Sequence, residues 1–181
     1  MAGGASVSGA AHDAALLRVS KASKKTLDLF GEGVHLAAQT SRPIDDLRQQ
    51  VCADRLDLAS HFLAAGNKTL RTRPPEYRTS ISRFYYSMYH AVRAVVYFAY
   101  GGDDHESHSV LPGKIPNDFI DAAIWQNALK DARAHRNAAD YDPYPVDVAS
   151  WRATAHSLAV EAPNLISLSR QYLKAKGCAY L

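Results

Sequence analysis

The chain of 181 residues has 47% hydrophobic and 22% charged residues, a composition typical of a folded globular domain. Its formal net charge of +3 is compatible with an RNA or nucleotide ligand but too small to indicate one. No apolar run approaches the ~20 residues of a membrane span, and no signal peptide is expected. Cys52 and Cys178 form no CxxC pair, so we expect free thiols in a cytoplasmic protein.

The first part of the chain predicts a disordered start and one helix. Residues 1–11 are rich in Gly, Ala and Ser, which favours disorder. Apolar residues at helical spacing predict an amphipathic helix over 12–30, which Gly31 and Gly33 are expected to end. We therefore assign residues 12–43 to an N-terminal helix and linker that precede the main domain.

The main domain is predicted to begin with a helix over 44–65 that Gly66 stops. A basic connection, 67–75, follows it. This stretch has two interpretations: its cations bind the phosphate groups of RNA, or they are solvated as in any short basic loop. The cations are Lys68, Arg71 and Arg73.

The central element is a helix predicted at about 76–100. It contains the run SRFYYSMYHAVRAVVYFAYG, which has no Pro, no internal Gly and no acidic residue. Two adjacent apolar seams cover most of its circumference, so other helices must bury it. A polar stripe of Arg83, Ser87 and His90 remains. The stripe is either one wall of a functional site or a buried hydrogen-bonded network between two helices.

The last part of the chain predicts two more helices. One is expected over 117–139 with Asn117 as its cap, and the other begins near Asp147 and is kinked or divided by Pro163. No segment alternates with the period of a strand. The sequence therefore predicts an all-α, up-down bundle of four to five helices over residues 44–176, with 177–181 as a tail.

Arg136 lies on the apolar face of the predicted 117–139 helix, where a cation needs an anionic partner. One interpretation is an internal ion pair with Asp140 or Asp131. The other is a guanidinium held for a phosphate group, with three polar side chains nearby: His135, Asn137 and Tyr141. Spacing alone does not decide between them.

Three motifs in order, RFYYSMYHA, HESHSV and RNAADY, resemble the HEPN domain superfamily. The resemblance covers roughly residues 44–173 and is strongest to the branch with a YYA-x-FHA helix and an R-x-x-ADY ending. It implies a helical bundle that commonly dimerises. Many members are metal-independent endoribonucleases, often the toxin of a toxin–antitoxin pair beside a small nucleotidyltransferase. Others serve antiphage defence, and some bind RNA, a nucleotide or a partner protein without catalysis.

The resemblance also implies site residues. Arg136 and Asn137 match the first two positions of the family motif, whereas Tyr141 stands where active members carry His. Tyrosine, with a pKa near ~10, is a poorer base than imidazole at neutral pH. We therefore expect a catalytic site of Arg136, Asn137, Asp140 and Tyr141, with His90 or His135 as the imidazole. The expected RNA-binding residues are Arg83, Lys68, Arg71 and Arg73.

Metals and other roles complete the expectations. His105 and His108 form H-x-x-H, but the three or four ligands that zinc needs are not evident, so no metal or cofactor is expected. A homodimer is expected, and a partner transferase can modify Tyr141 or Tyr144. A non-catalytic HEPN module and a structural subunit of a larger complex remain open alternatives.

Overall fold

A computed structural model describes residues 9–144 and 147–181 of the chain. Within these ranges there are six α-helices, a short 3₁₀ helix and no strand, which confirms the predicted all-α class. No helix in the described part is long and apolar enough to span a membrane. The predicted disorder of the start falls largely on residues 1–8, which lie outside the described residues. The helices are α1 (Gly9–Ser20), α2 (Lys24–Thr40), α3 (Ile44–Leu70), α4 (Tyr77–Tyr100), α5 (Ala122–Tyr141) and α6 (Val148–Ala175).

The chain divides into two compact units, Met1–Asp46 and Leu47–Leu181. The prediction of a single helix over 12–30 in the first unit was wrong. Helix α1 ends at Ser20, and Ser23 begins α2 by accepting a hydrogen bond from the Thr26 backbone N–H at 3.2 Å.

The glycines of the first unit do not end a helix, contrary to the prediction. Helix α2 runs through Gly31 and Gly33 to Thr40. A glycine in a helix interior costs only about 1 kcal/mol relative to Ala, so it weakens a helix without necessarily ending it.

Gly66 likewise lies inside α3, which continues to Leu70, so the predicted stop was wrong. A Cβ atom at Gly66 would lie 2.6 Å from the ring of the fully buried Phe84. The glycine therefore lets α3 and α4 approach each other closely. The predicted connection over 67–75 is accordingly shorter, because its first four residues are helical.

Helix α4 is the buried centre of the second unit, as the sequence predicted. It packs against α5 and α6, and its side chains Phe84, Tyr85 and Met88 are almost completely buried. Gly101, with φ of 78°, ends the helix and donates its N–H to the carbonyl of Tyr97.

Helices α5 and α6 begin differently from each other. Helix α5 starts at Ala122, so Asn117 is not its cap; residues 117–121 form turns anchored by the buried Phe119. Asp147 caps α6 as predicted, accepting from two backbone N–H groups at 3.0 and 3.2 Å. Pro163 lies inside α6, and the helix continues through it.

Candidate functional site

The last turns of α5 present Arg136 to the middle of α4. Its Nη2 donates a hydrogen bond to the hydroxyl of Tyr86 at 2.5 Å, and Nη1 donates to Oδ1 of Asn137 at 3.1 Å. The guanidinium carbon lies 5.2 Å from the ring centroid of Tyr86 and 5.3 Å from that of Tyr141. The cation is thus held by aromatic side chains from both helices.

Asp140 is the anionic partner of Arg136. The Nε atom of Arg136 lies 2.9 Å from Oδ2 of Asp140, although the N–H does not point at the carboxylate as a hydrogen bond requires. The same carboxylate accepts a hydrogen bond from Ser82 of α4 at 3.3 Å. The ion pair considered from the sequence is therefore present, and Asp140 also ties α5 to α4.

Arg133 lies one helical turn before Arg136 and is half-buried. Within the described residues it has no hydrogen bond or ion pair. Its charge nevertheless lowers the pKa of His108 and opposes the rise in the pKa of Tyr85 that burial causes. This face of α5 therefore carries two guanidinium groups: that of Arg136 is hydrogen-bonded, and that of Arg133 is not.

The loop between α4 and α5 places His108 against this face. Its Nδ1 lies 2.5 Å from the hydroxyl of Tyr85, and its ring stacks on Tyr89 with a centroid distance of 4.2 Å. Burial lowers the pKa of His108, and the charges of Arg136 and Arg133 lower it further. The imidazole is therefore neutral at pH 7.

A charge network holds this loop on α3 and α4. Arg93 donates to Oδ1 of Asp103 at 2.9 Å and to Glu106 at 2.7 Å, while Arg55 pairs with Asp103 at 3.0 Å. Tyr89 donates to the carbonyl of Glu106 at 2.6 Å. The hydrogen bond from Arg93 lowers the pKa of Asp103, so the carboxylate stays ionised.

His90, one of the two expected imidazoles, is packed into the helix interface. Its ring stacks on Phe62 at 5.3 Å with an interplanar angle of 11°. Burial lowers the pKa of His90 to about 4, and its Nδ1 is buried without a partner among the described residues. It borders the site through Tyr86, at a ring distance of 6.5 Å.

His135, the other expected imidazole, is exposed and lines a groove between α5 and α6. Asp131 and Glu161 line the same groove, whereas Arg136 does not. The structure therefore separates His135 from the Arg136 side of α5.

The expected RNA-binding residues lie on the surface. Arg83 is exposed and its guanidinium lies 5.9 Å from the ring centroid of Phe62. Lys68 is in the last turn of α3, and Arg71 and Arg73 are in the connection to α4; all three are exposed. No contact described here joins any of the four to Arg136.

The predicted polar stripe on α4 is not the part of α4 that meets Arg136. Ser87 is fully buried, and its hydroxyl has no partner in the described part of the chain. The α4 residues that face the site are instead Tyr86, which binds Arg136, and Ser82, which binds its carboxylate partner.

Sequence reasoning missed several residues of this site. Arg133 has a detectable signal, because it lies three residues before Arg136 on the same helix face. His108 has none, since a loop carries it to α4. Arg78 was also missed: it donates to the carbonyls of Ala139 and Asp142 at 2.7 and 2.6 Å, which fixes the end of α5 that bears Arg136.

The two histidines of the H-x-x-H motif pack against different aromatic side chains. His105 meets the ring of Tyr100 edge-on at 4.8 Å, whereas His108 stacks on Tyr89. Among the described residues, no group of three or more His, Cys, Asp or Glu side chains is placed to hold a metal ion.

Both cysteines are free thiols, as predicted, and the structure shows that both are buried. Burial raises the pKa of Cys52 to about 12, so this thiol is not ionised at neutral pH.

The fold and the site define an α-helical bundle with a cationic and aromatic site between its fourth and fifth helices. A family model described as the HEPN domain matches residues 53–171, which is more than half of the chain. The chain belongs to the HEPN family. Neither a search of curated proteins nor a search of solved structures gave a match.

Proposed function

We propose that this HEPN protein is an endoribonuclease that cleaves RNA without a metal ion at a site centred on Arg136. Such cleavage uses the RNA 2′-hydroxyl as the nucleophile and needs a cation to stabilise the charge that develops on the phosphorane. The observation that carries the proposal is the Arg136 guanidinium, which is bound to the hydroxyl of Tyr86 at 2.5 Å, while the ring of Tyr86 lies 6.1 Å from the imidazole of His108. A guanidinium can bind two phosphate oxygens at once.

Exposed side chains around Arg136 suit an RNA strand. Tyr141 is 70% exposed and offers a ring on which a base can stack. Asn137 is exposed and can bind substrate through its side-chain amide. We assign the contacts with more distant phosphates to the exposed cations of the second unit: Lys68, Arg71, Arg73 and Arg83.

A second candidate function is a non-catalytic module that binds RNA, a nucleotide or a partner protein. One observation favours it: Arg136 is already bound by Tyr86, Asn137 and Asp140 of its own chain. A phosphate would have to compete with these groups. Purified protein that binds RNA but leaves it intact would establish this second function.

The biological setting that we propose is a cytoplasmic toxin of a toxin–antitoxin or antiphage defence system, acting as a homodimer. Tyr141 and Tyr144 are 70% and 73% exposed, so both phenols are accessible to a nucleotidyltransferase antitoxin. In that reaction the phenol oxygen attacks the α-phosphate of a nucleoside triphosphate, loses its proton and releases pyrophosphate. Mass spectrometry after co-expression with such a transferase would show the added nucleotidyl group.

The test of the ribonuclease proposal compares wild type with Arg136→Ala, Arg136→Lys and Arg152→Ala. Arg152 is an exposed arginine of α6 and provides the matched control. Wild type and Arg152→Ala are expected to slow growth on expression and to alter the cellular RNA profile. Both Arg136 variants should lose these effects, since lysine keeps the charge without the two-pronged geometry.

Circular dichroism of each purified variant shows whether it is folded. Equal growth and equal RNA profiles for wild type and folded Arg136→Ala would contradict the catalytic role of Arg136.

A further inference from the structure

We propose that His108, positioned by Tyr85, is the proton carrier of this site. The inference rests on the ribonuclease activity proposed above and names the group that would accept the proton of the attacking hydroxyl. It depends on three features of the structure: the fixed orientation of the His108 ring, the unpartnered second nitrogen, and the packing of the ring against Tyr86, which binds Arg136.

Two contacts fix the orientation of the ring. The hydroxyl of Tyr85 lies 2.5 Å from Nδ1, and the ring stacks on Tyr89 at 4.2 Å with an interplanar angle of 26°. Both tyrosines come from the buried core of α4, so the partners themselves are rigid. The loop that carries His108 is in turn tied down by Asp103, which pairs with Arg93 and Arg55.

The second ring nitrogen, Nε2, is available to a ligand. Within the described residues it has no hydrogen-bond partner, and it is not among the buried, unpartnered atoms. His108 as a whole is half-buried. One nitrogen is therefore occupied by the protein, while the other has no partner among the described residues and is not completely buried.

The hydrogen bond at Nδ1 determines what Nε2 can do. Burial raises the pKa of Tyr85, so this side chain remains a neutral phenol. When Nδ1–H donates to the phenol oxygen, the lone pair of neutral His108 is on Nε2, which can then accept a proton. Burial and the nearby arginines lower the pKa of His108 and keep this neutral form populated at pH 7.

The other imidazoles near α4 and α5 lack one of these features. His90 is stacked on Phe62, and its buried Nδ1 has no hydrogen-bond partner among the described residues, so no contact selects its tautomer. His135 lies in the groove between α5 and α6, which Arg136 does not line. The ring of His108 lies 6.1 Å from that of Tyr86, whose hydroxyl binds Arg136, and its Nδ1 is held by Tyr85.

The reaction at this site balances without a further reagent. The 2′-hydroxyl gives its proton to Nε2 of His108, and its oxygen forms a bond to phosphorus. The bond from phosphorus to the 5′ oxygen breaks, leaving a 2′,3′-cyclic phosphate. The 5′ oxygen takes a proton from water, and the hydroxide so formed is neutralised by the proton that His108 releases. Arg136 stabilises the charge on the non-bridging oxygens throughout.

Single-turnover cleavage of a labelled RNA tests the role of His108. His108→Gln should cleave at least about 100-fold more slowly than wild type, the usual effect of losing a general base. Its affinity for RNA should stay within a factor of about two, because a neutral side chain is replaced by another. The matched control, His105→Gln, alters the other loop histidine, which packs on Tyr100, and should cleave like wild type.

Tyr85→Phe tests the positioning role through the pH profile. The acid limb of the rate should move to lower pH, because the imidazolium loses its acceptor at Nδ1. The rate at neutral pH should fall several-fold, since the useful tautomer is no longer selected. The charged and titratable groups that face His108 are Tyr85, Tyr86, Tyr89, His90 and Arg93 of α4 and Arg133 and Arg136 of α5.

The possible outcomes separate this inference from the ribonuclease proposal. Active wild type with equally active His108→Gln would overturn the role of His108 alone. If a folded His108→Gln loses both RNA binding and cleavage, His108 has a structural or binding role instead. Wild type that binds RNA but never cleaves it would overturn both proposals. His108→Asn replaces His108→Gln if the latter does not fold, as judged by circular dichroism.

Discussion

Asp103 holds the loop that carries His108, so neutralising it should loosen the whole site. The carboxylate accepts a hydrogen bond from Arg93 at 2.9 Å and pairs with Arg55 at 3.0 Å. Asp103→Asn keeps the size of the side chain but removes its charge. Two guanidinium groups, with side chains 20% and 16% exposed, then lack a common anion.

The magnitude follows from how far these groups are buried. Exposed ion pairs contribute about 0–1 kcal/mol, whereas breaking a buried pair costs about 3–5 kcal/mol. The side chain of Asp103 is 34% exposed, which lies between the two cases. We therefore expect Asp103→Asn to reduce the free energy of unfolding by about 2 kcal/mol. For a domain of this size the midpoint of thermal unfolding should fall by about 4–8 °C.

Thermal unfolding followed by circular dichroism measures this change. Asp104→Asn is the matched control, because the neighbouring carboxylate is exposed; its effect should stay within about 0.5 kcal/mol. The pKa of Asp103 is lowered by its hydrogen bond with Arg93. Its contribution is therefore full above its unfolded pKa of ~3.9 and is lost as the pH falls through the lower folded value. Equal midpoints for both variants at pH 7 would refute the reasoning.

Two further predictions concern packing and protonation. Gly66→Ala should lower the free energy of unfolding by about 1–2 kcal/mol despite the better helix propensity of alanine, because the new Cβ would lie 2.6 Å from the Phe84 ring. Gly31→Ala is the matched control, because the new Cβ would meet no atom within 4 Å, and it should increase helicity in circular dichroism. If denaturant unfolding shows that Gly31→Ala lowers the free energy of unfolding more than Gly66→Ala does, the packing argument is wrong. Below pH ~6.5 the unfolded chain protonates His90, whereas the folded chain does so only near its pKa of about 4, so acid removes stability. Between pH 7 and pH 4 the free energy of unfolding of wild type should fall by about 1.5 kcal/mol more than that of His90→Phe, a value reduced because the ring is only half-buried. Equal falls for the two proteins would contradict this prediction.

The elements that depend on local chemistry were predictable from the sequence. The apolar seams of α4 follow from side-chain periodicity, and the cap at Asp147 follows from the affinity of a carboxylate for free N–H groups. Gly66 shows the limit of such reasoning. Its effect depends on the ring of Phe84, which a different helix brings to it, so a local rule for helix ends fails there.

Some residues of the site were likewise predictable from the sequence, and others were not. Arg136 and Asp140 were predictable as a pair because they lie four residues apart on one helix. His108 was not, because its position depends on Arg55 and Arg93, which bind the loop from two other helices. Because Arg55 and Arg93 lie on other elements than the loop, no periodic pattern in the sequence connects them with His108.

The chemistry of the RNA ends tests the central claim most directly. Purified wild type is incubated with a labelled RNA in excess EDTA, beside Arg136→Ala and Arg152→Ala. We predict fragments that end in a 2′,3′-cyclic phosphate and begin with a 5′-hydroxyl, from wild type and Arg152→Ala but not from Arg136→Ala. Intact RNA with wild type, or fragments that end in a 3′-hydroxyl, would contradict a metal-independent ribonuclease centred on Arg136.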